Sequence, residues 1–422
     1  MLMGEKINLR LTIICAAAAS VGLSMAFISI FKFLLLLCGL TVLFKAWRLS
    51  SIKIPPVLLG KATPIAIMLV LAAFAISLAW TIAPIDQAFG SLAKYAKLLI
   101  IIFIMCLIRS RREALLAAAW FAGSQLFLVL GAWALYLGIP IPWASSKMAM
   151  TEYAVFSTYL DQGIMSAVFA LLCWHLRSLV PGRYGPGLAI GVGVLSLGSV
   201  LFVLSGRSGH LVAIAGLSLA IMWELPKRFR VLVVTLPFLL AALLFATSEK
   251  VRERLTVVQS EVQAYSSTAQ SNTSSGLRLM MWRYASIMIE QHPARGLGSG
   301  SWTTEYNRLQ HADNPSFENI QPMGNPHQEY LLWGLQLGIG GILLFLGLML
   351  SILRDSLRMA DKYRRALQTC LAGLAVACLF NSSLYDALIG DFFCMTLGLL
   401  LALGANYKPK VLSAQVSRVS PA

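Results

Sequence analysis

Apolar stretches of about 20 residues recur along this 422-residue chain, separated by short runs of Lys and Arg. No other feature narrows the possible folds so far. Inside a hydrocarbon layer every backbone N–H and C=O must be paired within the protein, so stretches of this kind have to be helical. Composition supports this reading: 58% of the residues are hydrophobic and only 12% are charged, against about 25% charged in a soluble domain. The expected fold is all-α and polytopic, with about twelve transmembrane helices near 11–27, 29–47, 65–82, 90–108, 114–138, 163–179, 186–204, 208–224, 231–247, 329–352, 366–382 and 389–406.

The net charge of +16 reports topology more than partners. Basic runs fall at Lys45–Lys61, Arg109–Arg112, Arg177–Arg183, Lys227–Arg230, Arg354–Arg365 and Lys408–Arg418, at every second connection. The positive-inside rule makes those connections cytoplasmic and places both termini inside. No single basic soluble domain exists, so nucleic acid is not an expected partner. The seven cysteines all lie in apolar stretches, without CxxC or Cys/His spacing, which predicts neither a disulfide framework nor a metal site. The N-terminal segment Met1–Arg10 followed by Leu11 mimics a signal peptide, but further spans follow, and it reads as a first transmembrane helix.

This divides the chain into residues 1–247 with nine spans, 248–328 as a long outer loop, 329–406 with three more spans, and a cytoplasmic tail at 407–422. The outer loop is too long for a plain connection and predicts a helical cap. Val251, Leu255, Val258 and Val262 repeat on one helical face. Ser266–Ser275 reads as a polar link, with Ser274/Ser275 able to cap a second helix over Gly276–Gln291. The rest of the loop, to His327, reads as a polar stretch.

Candidate chemistry gathers on the outer side. His327 and Gln328 stand at the mouth of an apolar helix, with Gly338, Gly340 and Gly341 beyond. An interfacial histidine can serve as a plain cap or can exchange a proton at neutral pH. Arg207 sits in an outer turn beside the hydrocarbon, where it needs Asp86, Asp161, Asp386, Asp391 or an anionic ligand as counter-charge. Arg278 and Trp282 share one helix face, open to solvent or to a ligand. A guanidinium fork suits phosphate oxygens. Lys94 and Lys97 can snorkel to lipid phosphates or join a pyrophosphate site. Gly296–Gly300 can offer backbone N–H groups to a phosphate. Trp143, Trp282, Trp302 and Trp333 serve equally as belt residues or sugar platforms. Asn272-Thr-Ser and Asn381-Ser-Ser match a glycosylation pattern, and Asp386 ends the second stretch as a candidate partner for an arginine or for His327.

Together these features resemble the O-antigen ligase family, within the wider ligase and polymerase group of surface-polysaccharide enzymes. His327-Gln328, nine residues, then Gly338-Ile-Gly-Gly341 matches the ligase pattern. Gly276-Leu-Arg278-Leu-Met-Met-Trp282, then His292-Pro293 and Gly296-Leu-Gly298, is similar to the group's loop signature, and Ser205-Gly-Arg207 to its arginine turn. The resemblance implies a GT-C-like architecture in the bacterial inner membrane with a periplasmic active site. It implies transfer of a glycan from undecaprenyl pyrophosphate to the lipid A–core oligosaccharide, with inversion and without metal or other cofactor. Arg207 and Arg278 would hold the pyrophosphate, with Lys94, Lys97 and Trp282 as lesser contacts. His327 would deprotonate or orient the acceptor hydroxyl, with Gln328 and Asp386 behind it. An O-antigen polymerase and a protein oligosaccharyltransferase share the donor chemistry. A transporter would instead place polar groups at mid-bilayer, where this chain has chiefly Lys32 and His175.

Overall fold

The computed structural model describes residues 8–48, 58–229, 235–247, 252–253, 256, 274–313 and 323–407. These residues form helices joined by turns, with no strand among them. In chain order the helices are α1 (Leu9–Ser20), α2 (Met25–Arg48), α3 (Ala62–Ser77), α4 (Ile85–Tyr95), α5 (Leu99–Leu107), α6 (Arg111–Tyr136), α7 (Ala149–Glu152), α8 (Tyr159–Leu176), α9 (Gly185–Gly198), α10 (Arg207–Glu224) and α11 (Leu236–Thr247). There follow α12 (Ser274–Gln291), α13 (Trp302–Asp313), α14 (Glu329–Leu337), α15 (Ile339–Ser356), α16 (Asp361–Phe380) and α17 (Ala387–Ala405).

Among the described residues, six segments are long and apolar enough to cross a membrane: 25–42, 85–107, 111–136, 185–203, 339–356 and 387–405. Three shorter apolar helices, α1, α3 and α11, accompany them. The protein is therefore a multi-pass helical membrane protein. Each stretch expected to be apolar helix overlaps helix in its described residues, but the first, expected over 11–27, is broken at Val21–Ser24 between α1 and α2. Helix α17 lies at the centre of the packing, 89% buried in its most apolar window, against α5, α6 and α16. Helices α8, α10 and α16 form a second tight group.

Two glycines set the closest approach in that group. A Cβ on Gly209 of α10 would stand 2.8 Å from the backbone of Gly163 on α8. Small residues let helix backbones meet in this way. The contact packs the N-terminal parts of α8 and α10, which carry Asp161 and Arg207, against each other.

The structure departs from the sequence reading at three further places. The expected span over 329–352 is broken: Gly338 has φ +68 and ψ −161 and separates α14 from α15. Its backbone occupies a region essentially restricted to glycine. The stretch after Gly300 holds a helix, α13, anchored by Trp302 stacked on Tyr306 with ring centroids 4.8 Å apart. A run of net polar composition hid that face, which has only Trp302, Glu305 and Tyr306 buried. Third, α12 begins at Ser274, so Ser275 lies within the helix. The expected helix over Val251–Val262 and the link from Ser266 fall almost wholly outside the described residues.

Candidate active site

The site is assembled on three elements: the first turns of α8 and α10, the length of α12, and two turns that face each other before α14 and α17. Helix α12 is the spine. Ser275, Arg278 and Trp282 follow at i, i+3 and i+7, on one helical face. At the near end Arg207 Nη1 donates to Ser275 Oγ at 3.2 Å. At the far end Trp282 Nε1 donates to the carbonyl of Pro326 at 3.1 Å, next to His327. Seven residues of helix separate these ends, about 10 Å. Arg207, Arg278, Trp282 and His327 thus lie along a single helix edge. Ser205, just before Arg207, donates to the Glu152 carboxylate of α7 through a very short hydrogen bond.

His327 is held in an unusual backbone state. Its φ is +51, one of two non-glycine residues with positive φ among those described. Such a conformation persists only where neighbours enforce it. Here Asn325 does so: its Oδ1 accepts the His327 backbone N–H at 2.8 Å, and its Nδ2 donates to Asp386 Oδ1 at 2.8 Å. The imidazole Nδ1 lies 3.3 Å from Asn381 Oδ1. The Asn381 Nδ2 donates in turn to Asp161 Oδ1 at 3.4 Å. Two buried asparagines therefore tie His327 to two carboxylates, one through its backbone and one through its ring.

Both carboxylates feel their surroundings. Burial raises the Asp386 carboxyl above its usual range, while the neighbouring His327, Lys97 and Lys94 draw it back. Burial first, and the Asp386 carboxylate second, push Asp161 up to about 7. Two acids so placed resist ionising together.

Several expected site residues take other roles. Gln328 is the N-cap of α14, with its Oε1 accepting the Leu331 N–H at 2.6 Å. Lys97 is 5% exposed, and its ammonium donates to the carbonyls of Tyr385, Asp386 and Ala387 at 3.2, 2.5 and 3.5 Å. That removes it from any phosphate and makes it a tie beneath the Asp386 turn. Lys94 is exposed, with Nζ 3.9 Å above the Tyr385 ring centroid, and stays available to an anion.

The Gly296–Gly300 loop is a latch, not a phosphate cradle. The N–H groups of Leu297 and Gly298 donate to the carbonyls of Leu335 and Gln336. Those of Ser299 and Gly300 donate to Ser77 Oγ and Gln336 Oε1. Trp302 and Trp333 are buried and cannot be sugar platforms. Asp391, a possible counter-charge for Arg207, instead pairs with Lys32 at 2.7 Å.

Sequence reasoning passed over Glu329, which is wholly buried. Its Oε1 accepts from Trp333 Nε1 at 2.8 Å and Tyr95 Oη at 3.3 Å. Its Oε2 accepts the N–H groups of Leu384 and Tyr385 at 2.9 and 3.2 Å. Glu329 staples the turn carrying His327 to the turn carrying Asn381 and Asp386. Asn325 and Asn381 were equally unassigned, although both lie within five residues of a candidate that was recognised.

These features define a multi-pass helical membrane protein with a histidine, two arginines and buried carboxylates gathered at one helix edge. The family model for O-antigen ligase matches residues 191–346, a span that includes Arg207, Arg278, His327 and the Gly338–Gly341 segment. That match supports assigning the chain to the O-antigen ligase family. No curated protein matches the chain.

Proposed function

We propose that this protein is an inner-membrane glycosyltransferase that joins O-antigen polysaccharide, carried on undecaprenyl pyrophosphate, to lipid A–core. One observation carries the reading: α12 is bonded at Ser275 to Arg207 and at Trp282 to the carbonyl next to His327, with Arg278 on the same helical face between them, which supports taking these residues as an anion grip and a proton acceptor of one site. In this reading the chain makes twelve passes with both termini cytoplasmic, and residues 248–328 form a periplasmic cap over a GT-C-like bundle.

The chemistry asks little covalent work of the protein. The acceptor hydroxyl oxygen attacks the anomeric carbon on the face opposite the pyrophosphate. The C–O bond to pyrophosphate breaks, its electron pair leaves with the phosphate, and the hydroxyl proton passes to His327. Inversion follows from the single displacement. Arg207 and Arg278, with Lys94 as a lesser contact, stabilise the charge developing on the leaving group, and no metal ion is invoked. Trp282 lines the approach. Fixing acceptor and donor in line supplies the remainder.

Replacing His327, Arg207 or Arg278 by Ala is expected to leave the protein in the membrane and to lower transfer at least 100-fold. Near-normal transfer by all three would overturn the assignment. Deleting the gene separates the related activities. Long glycan accumulating on the lipid carrier, with uncapped lipopolysaccharide, identifies the ligase. Single repeat units on the core identify a polymerase. Intact lipopolysaccharide with lost protein glycosylation identifies a protein oligosaccharyltransferase.

A further inference from the structure

We propose that Asp161, acting through the side-chain amide of Asn381, fixes His327 as the tautomer protonated on Nδ1 and leaves Nε2 as the atom that takes the acceptor's proton. The inference rests on the function proposed above and decides between its two roles for His327, base or mere orienter.

The argument is one of donors and acceptors. An ionised carboxylate only accepts hydrogen bonds. Asp161 Oδ1 therefore requires the NH₂ end of Asn381, which lies 3.4 Å away. A reversed amide would set its carbonyl oxygen against that carboxylate. With the NH₂ end committed, the carbonyl end of Asn381 faces His327 Nδ1 at 3.3 Å. An amide oxygen cannot donate, so Nδ1 must carry the proton. In the neutral ring Nε2 is then the acceptor.

The surroundings support this order. Asn381 is 6% exposed, so water does not compete freely for its amide. The ring is only half-buried, and Nε2 has no hydrogen bond among the described residues. The His327 backbone N–H is held by Asn325, itself anchored on Asp386, which fixes the point from which the ring reaches Asn381. Asp161 is itself held at the third position of α8, where its N–H donates to the capping Thr158 hydroxyl at 3.2 Å. The charged groups facing this assembly are Asp386 from the N-terminus of α17 and Lys97 and Lys94 from the α4–α5 segment. None of them contacts Nδ1. Asp161 is thus a positioning residue, the remote end of a carboxylate–amide–imidazole chain.

The test reads the tautomer directly. The full-length protein is labelled with ¹⁵N-histidine in detergent micelles, and the His327 ring is assigned by loss of its signals in His327→Gln. Spectra are recorded at pH 8.5, above the value of about 7 to which burial and Asp386 raise Asp161. The wild type is expected to show the Nδ1-protonated ring. Asp161→Ala frees the amide to turn over and is expected to give mixed tautomers, a roughly tenfold lower kcat and an unchanged KM for the acceptor.

The double variant Asp161→Ala/Asn381→Asp places an acceptor-only group directly on Nδ1. It is expected to restore both the tautomer and most of kcat, which a merely structural role for Asp161 would not produce. An Nδ1-protonated ring and normal kcat in Asp161→Ala, or no recovery in the double variant, overturns the proposal. If Asp161→Ala does not accumulate, Asn381→Leu asks the same question from the other end, and an unchanged tautomer there also overturns it. Full transfer by His327→Ala would instead sink the proposed function, a result that the spectra cannot mimic.

Discussion

At Glu329 four donors converge on one carboxylate, two from backbone and two from side chains, in a place that water does not reach. All four satisfy the ionised form, and none offers it an acceptor. Removing a shared buried acceptor leaves its donors with their desolvation penalty unrelieved. Glu329→Ala is expected to destabilise the protein by about 2–4 kcal/mol, and Tyr95→Phe, which deletes a single donor, by about 1 kcal/mol. Thermal unfolding of the purified variants in one detergent checks the order. Equal midpoints for the two would mean that the Trp333, Leu384 and Tyr385 contacts contribute nothing. His327 sits two residues before this staple, so damage at Glu329 should also lower transfer. A recovered fold without recovered transfer would separate the two effects.

The glycines that end α14 show how one motif divides between elements. A methyl on Gly338 would collide with the Pro293 carbonyl, and the residue has φ +68. Gly341 lies against the Trp333 carbonyl. Gly340, between them, faces open space. Gly338→Ala is therefore expected to cost about 2 kcal/mol or more, whereas Gly340→Ala is expected to be neutral or slightly stabilising through helix propensity. The comparison is a pair of unfolding midpoints, and a tolerated Gly338→Ala would refute the break at that position. The break has a consequence for the site. It lets α14 run back to the Gly296–Gly300 latch and receive Leu297 and Gly298 on its last carbonyls. The C-terminal end of α14, opposite the end that follows His327, is thereby tied to α3 through Ser299 and Ser77.

Across the whole molecule the notable charge pair joins two helices that are far apart in sequence. Lys32 of α2 pairs at 2.7 Å with Asp391 of α17, which is 1% exposed. Removing one partner strands a charge in the apolar interior, whereas removing both need not. Lys32→Met should destabilise the protein by about 3–5 kcal/mol, and Lys32→Met/Asp391→Leu should recover most of the loss. Yield in the membrane and the unfolding midpoint read both. A double variant no better than the single one would show that the pair is not coupled. Transport would require such a pair to open to a substrate path. Its enclosure beside α17 is better suited to fixing one helix on another.

Much of this was legible in the chain itself. Apolar length excludes everything but helices, because lipid offers no partner for a free N–H or C=O. Arg207, Arg278 and His327 are recognisable singly, because residues that are costly near a membrane announce themselves by type and place. What local pattern could not reach were the pairings. Asp161 and Asn381 are 220 residues apart, and Tyr95 and Glu329 are 234. Asp161 looked like a counter-charge for Arg207, Lys97 like a phosphate ligand and Gly296–Gly300 like a cradle. Each of these groups is satisfied by one particular partner among many within chemical reach, and only the packed helices select which. The residue types were written in the sequence; the choice of hydrogen-bond partner was made by tertiary structure, because burial forces each donor to find the acceptor that folding brings to it.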